Sequence, residues 1–388
     1  MRKKHKIGIV IDRFNVGGVE KIAIEQAKAL REIGEEAYLL VLRRKGVIDD
    51  AFLDLRENVP TIYLDDRLPW FLTFSFKFPV FSFFSFFHIT YPFLIPAVIQ
   101  KKEFDYLIVH GTYTAFTAIN IKKYKDISYS VFLWDPISYI LNRVYNSKLS
   151  VFLTVFKLIA NKLDASIINN ADEILVGGDA HNALIKETNS KKKIYTITPS
   201  VHPIQKQQKK ENYVLMVTAW KKGKNPEYVI EIVKNLPEIK IKMVGRWLDA
   251  EYYKEFTQLI NKEKMNKNIE IIGEVTENQL ADYYSQALIL LQTNDDRGFG
   301  MPALEAAGHG TTFIIPEGQG VCNLFDDAIE GFYTREKDTE QIVVYLSKLL
   351  KDKELAKQMG QEGLTKVQKN YSWINHAKQL VKVAKSHS

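Results

Sequence analysis

Asp296-Arg-Gly-Phe-Gly-Met-Pro-Ala-Leu-Glu-Ala-Ala-Gly-His-Gly-Thr311, followed by the apolar run Thr312–Ile315, reads as a turn, a helix and a strand in succession. Gly298 and Gly300 permit backbone conformations and close approaches that side chains forbid. Pro302 suits the first turn of a helix. A helix beginning there directs free N–H groups and a partial positive charge beyond its start, which favours a phosphate. Glu305, one turn in, is placed to accept hydrogen bonds from ribose hydroxyls. Without that chemistry the same run is a Gly-rich turn with a solvated glutamate.

Working outward, short apolar runs alternate with helix-like stretches, the pattern of parallel α/β folding. Strands are expected at Tyr213–Thr218, Ile239–Val244, Ile269–Ile272, Leu288–Leu291 and Thr312–Ile315, with helices at Pro226–Asn235 and Thr276–Ser285. In the first half they are expected at Lys6–Ile11, Ala37–Leu42, Thr61–Leu64, Tyr106–His110, Tyr129–Leu133, Glu173–Gly177 and Ile194–Ile197. A helix over Gly17–Gly34 has apolar positions at Ile22, Ile24, Ala27 and Leu30. The polar stretch Val201–Asn212 is the best linker. The division expected is a first domain over 1–204, a second over 205–370, and a final helix over 371–388 packing back on the first. A chain of 388 residues exceeds one ordinary core, in keeping with two domains.

Composition narrows the classes. A hydrophobic share of 46% and a charged share of 26% are ordinary for a folded domain. The single cysteine, Cys322, allows no internal disulfide and fits a reducing compartment. The apolar run after Lys6 is too short for a signal peptide and reads as a buried strand. The net charge of +7 sits almost wholly in residues 1–204, which hold 27 Lys and Arg against 21 Asp and Glu. That imbalance favours an anionic partner, a membrane surface or nucleic acid.

One segment breaks the pattern. About a dozen aromatic residues stand between Trp70 and Phe93, and Pro79–Ile99 contains no Asp, Glu, Lys or Arg. Pro92 and Pro96 argue against a regular spanning helix. The flanking strands Thr61–Leu64 and Tyr106–His110 read as neighbours in one sheet, so the segment returns to the side it left. A monotopic element seated in a membrane interface is the preferred reading, with Phe83, Phe84 and Phe87 among its contacts. A Phe-rich buried helix and a true span are the alternatives.

The run from Asp296 to Thr311 resembles the donor signature of the retaining GT-B glycosyltransferases of glycosyltransferase family 4, E-G-F-G-x-P-x-x-E-A-x-x-x-G. Gly17-Gly18-Val19-Glu20 is similar to the family's N-terminal glycine loop, and Thr218–Pro226 stands where its basic phosphate loop stands. Ile272–Val275 and Leu280–Tyr284 resemble the stretch before the donor motif. The resemblance implies two Rossmann-like domains facing each other across a cleft, with the donor on the second and the acceptor on the first. It implies that Glu305 binds the nucleotide ribose and that Phe299–Met301 hold sugar and diphosphate through the backbone. Gly17, Gly18, Lys222, Lys224, Gly298 and Gly300 complete the donor set. Three positions depart from the pattern: Arg297 stands at the family's first Glu, Ala219-Trp220 at its Gly-Arg, and Trp134-Asp135-Pro136 at its His.

The activity so implied is retaining transfer from a UDP- or GDP-sugar, which is a substrate and not a cofactor, with no metal. Asp135 and His110 are the candidates for the catalytic, acceptor-side roles. Each has a plain structural alternative as a turn residue. The aromatic segment 70–97 and the basic first half point to a lipid-linked glycan or glycolipid acceptor at the cytoplasmic, inner membrane face, and away from nucleic acid. A GT-B homologue that binds a sugar nucleotide without turnover, as a partner subunit, is the alternative that Arg297 and Trp134 favour. Asp295-Asp296 lacks a third ligand at suitable spacing. His309, Arg246, Trp220 and Trp247 read first as structural residues.

Overall fold

The computed structural model describes residues 4–14, 17–44, 53–73, 86–134, 136–138, 150–178, 192–206, 208–294 and 298–386. The chain divides into two compact units: Met1–Thr198 with Trp373–Ser388, and Pro199–Ser372. Residues 199–204, which the sequence assigns to the first half, pack with the second unit. There Ile204 N–H donates to Gly308 O at 2.9 Å.

The first unit is a seven-stranded sheet ordered β3-β2-β1-β4-β5-β6-β7. Its strands are β1 (Lys6–Ile11), β2 (Glu36–Val41), β3 (Thr61–Tyr63), β4 (Tyr106–His110), β5 (Ser128–Phe132), β6 (Glu173–Val176) and β7 (Ile194–Thr196), each paired parallel to its neighbours. Their near-continuous burial follows from helices lying on both faces. Helices Phe86–Val98, Thr112–Lys125 and Ser150–Asn170 pack in sequence on one face, over Val10, Leu40, Val109 and Val131. Helices Gly18–Glu32 and Trp373–Lys385 pack on each other.

The second unit is a six-stranded parallel sheet ordered β10-β9-β8-β11-β12-β13. It is built from β8 (Val214–Val217), β9 (Ile241–Val244), β10 (Ile269–Gly273), β11 (Ile289–Leu291), β12 (Thr312–Pro316) and β13 (Gly331–Thr334). Each order reverses once, between β1 and β4 in the first unit and between β8 and β11 in the second. In open parallel sheets ligands gather at the carboxyl ends of the strands flanking that reversal.

Two expectations need correction. Thr61–Tyr63 and Tyr106–His110 share a sheet but are not neighbours, because β2 and β1 lie between them. Phe87 is no membrane contact. With Tyr91 and Ile95 it forms the buried stripe of its helix, Ile99 just past the helix joins the same core, and the Arg43 guanidinium sits 3.4 Å from its ring centre. Phe83 and Phe84 lie outside the described residues. Pro92 and Pro96 fall inside this helix. Pro96 has no N–H to return to Pro92 O, and Asn120 Nδ2 donates to that carbonyl instead at 2.9 Å. Among the described residues no helix is long and apolar enough to cross a membrane. Strand β13 is an element the apolar runs did not reveal.

Candidate functional site

The turn at Gly298–Gly300 and the helix after it form as the sequence prescribes, and Gly300 decides the turn. This residue caps helix Met301–Gly308 at φ +89°, ψ +40°, a left-handed conformation that disfavours any Cβ. A Cβ there would also stand 2.4 Å from Gln319 Oε1 and 2.6 Å from Val321 Cγ1. Two backbone bonds tie the turn to the segment after β12: Gly320 N–H donates to Gly298 O at 3.1 Å, and Val321 N–H to Phe299 O at 2.7 Å. Phe299 is buried, whereas a Cβ on Gly298 would meet open space. Met301 and Pro302 open the helix, so its first N–H groups lack intrahelical partners.

Glu305 lies one turn in and is buried, with one carboxylate oxygen accepting from the Tyr284 hydroxyl at 2.7 Å. Burial and that carboxylate push the Tyr284 phenol well above its ordinary range. Tyr284 stacks on His309, whose Nδ1 lies 2.8 Å from Glu305 O, so His309 is a helix-end residue. Lys210, from the linker, reaches His309 O at 3.2 Å and the Thr311 hydroxyl. Burial pulls its ammonium down to about 7.

The lysine loop lies beside this turn because β8 and β11 are adjacent strands. Lys224 N–H donates to Lys221 O at 3.0 Å, closing a tight turn with Lys222 exposed on it. Asn225 Nδ2 donates to Thr293 O at 3.0 Å, and the Thr293 hydroxyl donates to Lys224 O at 3.0 Å. Lys222, Lys224, Gly298, Phe299, Gly300, Met301 and Glu305 are therefore gathered at the reversal of the second sheet. Two buried amides at these strand ends, Gln292 and Gln319, were not singled out from sequence. Gln292 Oε1 and both polar atoms of Gln319 find no hydrogen-bond partner among the described residues. Nothing in a lone glutamine marks it beforehand; the burial and the missing partners do. Arg297 and Asp296 lie outside the described residues.

Trp220 is buried, stacks on Trp247 at 5.5 Å and donates from Nε1 to Val244 O at 3.2 Å, a core residue and no base platform. Arg246 Nε meets Glu274 Oε2 at 2.6 Å.

In the first unit Gly17 caps helix Gly18–Glu32 without a side-chain cap. A Cβ on Gly17 would meet Glu20 Oε2 at 2.6 Å, so the glutamate folds back over this turn. Asp135 lies outside the described residues.

His110 is closed in by its surroundings. It is buried, and both ring nitrogens are engaged: Trp134 Nε1 donates to Nδ1 at 3.1 Å, and Nε2 lies 2.7 Å from Gln26 Oε1. Gln26 Nε2 lies 3.0 Å from His376 Nε2, and His376 Nδ1 lies 2.7 Å from Thr198 O. One proton arrangement satisfies every pair. Each histidine is neutral, His110 carries its hydrogen on Nε2 and His376 on Nδ1. Burial, with His376 nearby, holds His110 down at about 3, and burial holds His376 at about 4. Phe132 stacks on His110 at 5.0 Å and on Trp134 at 5.2 Å. A neutral histidine enclosed in this way has no nitrogen for an acceptor.

Parallel sheets whose carboxyl ends carry a glycine turn and a lysine loop define a nucleotide-binding class of α/β protein. Residues 198–366 match the family described as glycosyl transferases group 1. The chain is 23% identical over 344 residues to the capsular polysaccharide biosynthesis glycosyltransferase CapH of Staphylococcus aureus, covering 83% of this chain and 85% of CapH. It is 23% identical over 162 residues to the uncharacterized glycosyltransferase MJ1178 of Methanocaldococcus jannaschii, covering 42% of this chain and 44% of that relative's length. The structure of Anabaena HepE in complex with UDP-glucose is similar with a TM-score of 0.73 at 14% identity, over 98% of this chain and 100% of that one. That likeness shows the fold, the two Rossmann-like units of the GT-B class.

Proposed function

We propose that the chain is a retaining hexosyltransferase that moves a sugar from a nucleotide-sugar donor to a membrane-associated acceptor, a lipid-linked glycan or glycolipid. The observation that carries this is the tie of the lysine loop to Thr293, just past β11 at the reversal of the second sheet where the Gly300 turn follows. Lys222, Lys224 and the N-terminus of helix Met301–Gly308 present positive charge where the departing diphosphate gathers negative charge. They stabilise the leaving group as the bond from the anomeric carbon to the diphosphate oxygen breaks. The acceptor oxygen bonds to that carbon from the same face and releases its proton. This route needs no protein nucleophile, and the reading gives no metal a role. Glu305 meets the ribose, with its carboxylate oriented by Tyr284. HepE, whose structure holds UDP-glucose, supports a uridine donor as the first to try.

A membrane-associated acceptor at the cytosolic leaflet is supported by Trp70, Phe71 and Phe93, which are 85%, 60% and 69% exposed. The test is transfer and donor hydrolysis across UDP- and GDP-sugars, with Glu305→Gln as the comparison. The amide keeps an oxygen for Tyr284 while losing the charged contact to ribose. The variant is expected to raise the donor KM by about 10- to 100-fold, in line with ~1.5–3 kcal/mol for a hydrogen bond to a charged group. Donor binding without turnover on any lipid acceptor would leave the non-catalytic reading standing.

A further inference from the structure

The three helices on one face of the first sheet have an outer surface unlike that of a water-facing layer. Helix Phe86–Val98 is apolar inside and out: Phe87, Tyr91 and Ile95 are buried, while Ile89 and Phe93 stand 47% and 69% exposed. Tyr124 on helix Thr112–Lys125 is 57% exposed. Leu158, Ile159 and Leu163 on helix Ser150–Asn170 are 60%, 47% and 37% exposed. The two helices Gly18–Glu32 and Trp373–Lys385 carry no large exposed apolar side chain among their described residues.

Charge on the helices of this layer is mostly positive. The three helices hold Lys122, Lys123, Lys125, Lys157 and Lys162, and their single acid is Asp164. Asp164 is buried and accepts the N–H groups of Ile137 and Ser138 at 2.8 and 3.0 Å, so it shows no charge outward. Exposed apolar side chains interleaved with lysines, with the exposed carboxylate of Asp126 at the end of helix Thr112–Lys125 paired to Lys102 at 3.7 Å, match the interface of an anionic bilayer. A protein partner of ordinary composition would be met by both signs of charge.

We propose that the outer face of this three-helix layer, and not the segment 70–97 alone, docks on an anionic lipid surface. Leu158, Ile159 and Leu163 enter the headgroup boundary, while Lys123, Lys157 and Lys162 meet lipid phosphates. The placement rests on the reading of a membrane-associated acceptor and gives that reading a docking face, with the sheet lying parallel to the bilayer.

Co-sedimentation of the full chain with phosphatidylcholine vesicles, with and without phosphatidylglycerol, is the test. Wild type is expected to bind the anionic vesicles and to leave the neutral ones. The triple variant Lys123→Gln, Lys157→Gln, Lys162→Gln is expected to lose on the order of 100-fold in partition, three lysines each contributing near the surface. The triple variant Leu158→Ser, Ile159→Ser, Leu163→Ser is expected to lose as much, with an unchanged unfolding temperature. Both triple variants binding like wild type, while Trp70→Ser with Phe71→Ser abolishes binding, would overturn the three-helix face and keep the membrane reading. No vesicle binding by wild type would overturn both. A concentration-dependent dimer that the serine variant dissolves, without vesicle binding, would assign the face to a second copy and overturn the proposal. Donor hydrolysis, which needs no lipid, reports separately on the transferase reading.

Discussion

Two glycines stand at corresponding points of the two units. Gly111 follows β4 and caps helix Thr112–Lys125 at φ +90°; Gly300 follows β11 and caps helix Met301–Gly308 at φ +89°. Both lie past a strand end beside a sheet reversal, next to residues that the sequence singles out, His110 and Glu305. Their surroundings separate them. Next to Gly111, His110 closes a buried relay in which each polar atom has a partner. Around Gly300, Gln292 and Gln319 bury amide atoms with none, and lysines stand exposed nearby. Buried polar groups left unsatisfied are costly and need a reason, and a ligand is one. The contrast belongs to these two turns and not to the whole molecule, since Thr117 Oγ1 on the helix that Gly111 caps is also buried without a partner among the described residues.

The largest effect that tests this contrast is expected at Gly300. Gly300→Ala forces a Cβ into the left-handed region, at about 1–2 kcal/mol, and against Gln319 and Val321. The turn must shift, and a displacement of about 1 Å costs on the order of 100-fold in turnover. Steady-state kcat/KM for donor hydrolysis checks it, and wild-type rates in this variant would move the donor site elsewhere.

Next comes the relay. Gln26→Leu leaves both histidines without the amide between them, and is expected to cost about 2–3 kcal/mol of stability with donor hydrolysis unchanged. Urea unfolding and the same kinetic assay read the two halves of that statement. The pH dependence has a definite sign. Both histidines titrate lower in the fold, at about 3 and about 4, than the ordinary ~6.5 of the unfolded chain. Below that value the unfolded state takes up protons that the folded state refuses. Stability is therefore complete above pH ~6.5 and falls towards pH 4, by up to about 2.7 kcal/mol per unit for two protons. A flat unfolding free energy between pH 7 and 5 would show that these histidines are not held neutral.

Lys222 brings the comparison down to a single charge. Lys222→Ala is expected to raise the donor KM about tenfold, the loss of one charge-assisted contact, without lowering the unfolding temperature. Isothermal titration with the nucleoside diphosphate reads it directly.

Much of the frame was legible because parallel strands buried on both faces are apolar runs. Lys6–Ile11 and Tyr106–His110 stand where those runs end. Gly331–Thr334 was not legible: a four-residue edge strand that starts on glycine makes no run. The helix Phe86–Val98 shows a second limit. Phe87 and Phe93 are alike in sequence, and periodicity separates inside from outside only when the outward face is polar. The turn and helix of Gly298–Glu305 were legible because their geometry is local, held in eight consecutive residues. The relay was not, since Gln26 meets a histidine 84 residues away and another 350 away. The tie between Thr293 and Lys224 escapes notice for the same reason, with 69 residues between them.

The smallest effect belongs to the glycine that resembles Gly300 and lacks its neighbours. A Cβ on Gly111 meets nothing closer than Thr114 Oγ1 at 3.8 Å, so only the backbone conformation resists substitution. Gly111→Ala is expected to cost about 1–2 kcal/mol, which lowers the unfolding temperature by roughly 2–8 °C in a domain of this size. Its kcat/KM with any donor should match wild type, because the atoms it moves belong to a closed network. Thermal unfolding and donor hydrolysis measured side by side for Gly111→Ala and Gly300→Ala decide the matter. If Gly111→Ala lost turnover as Gly300→Ala does, hydrogen-bond saturation would fail as a guide here, and the end of β4 would return as an acceptor-side element.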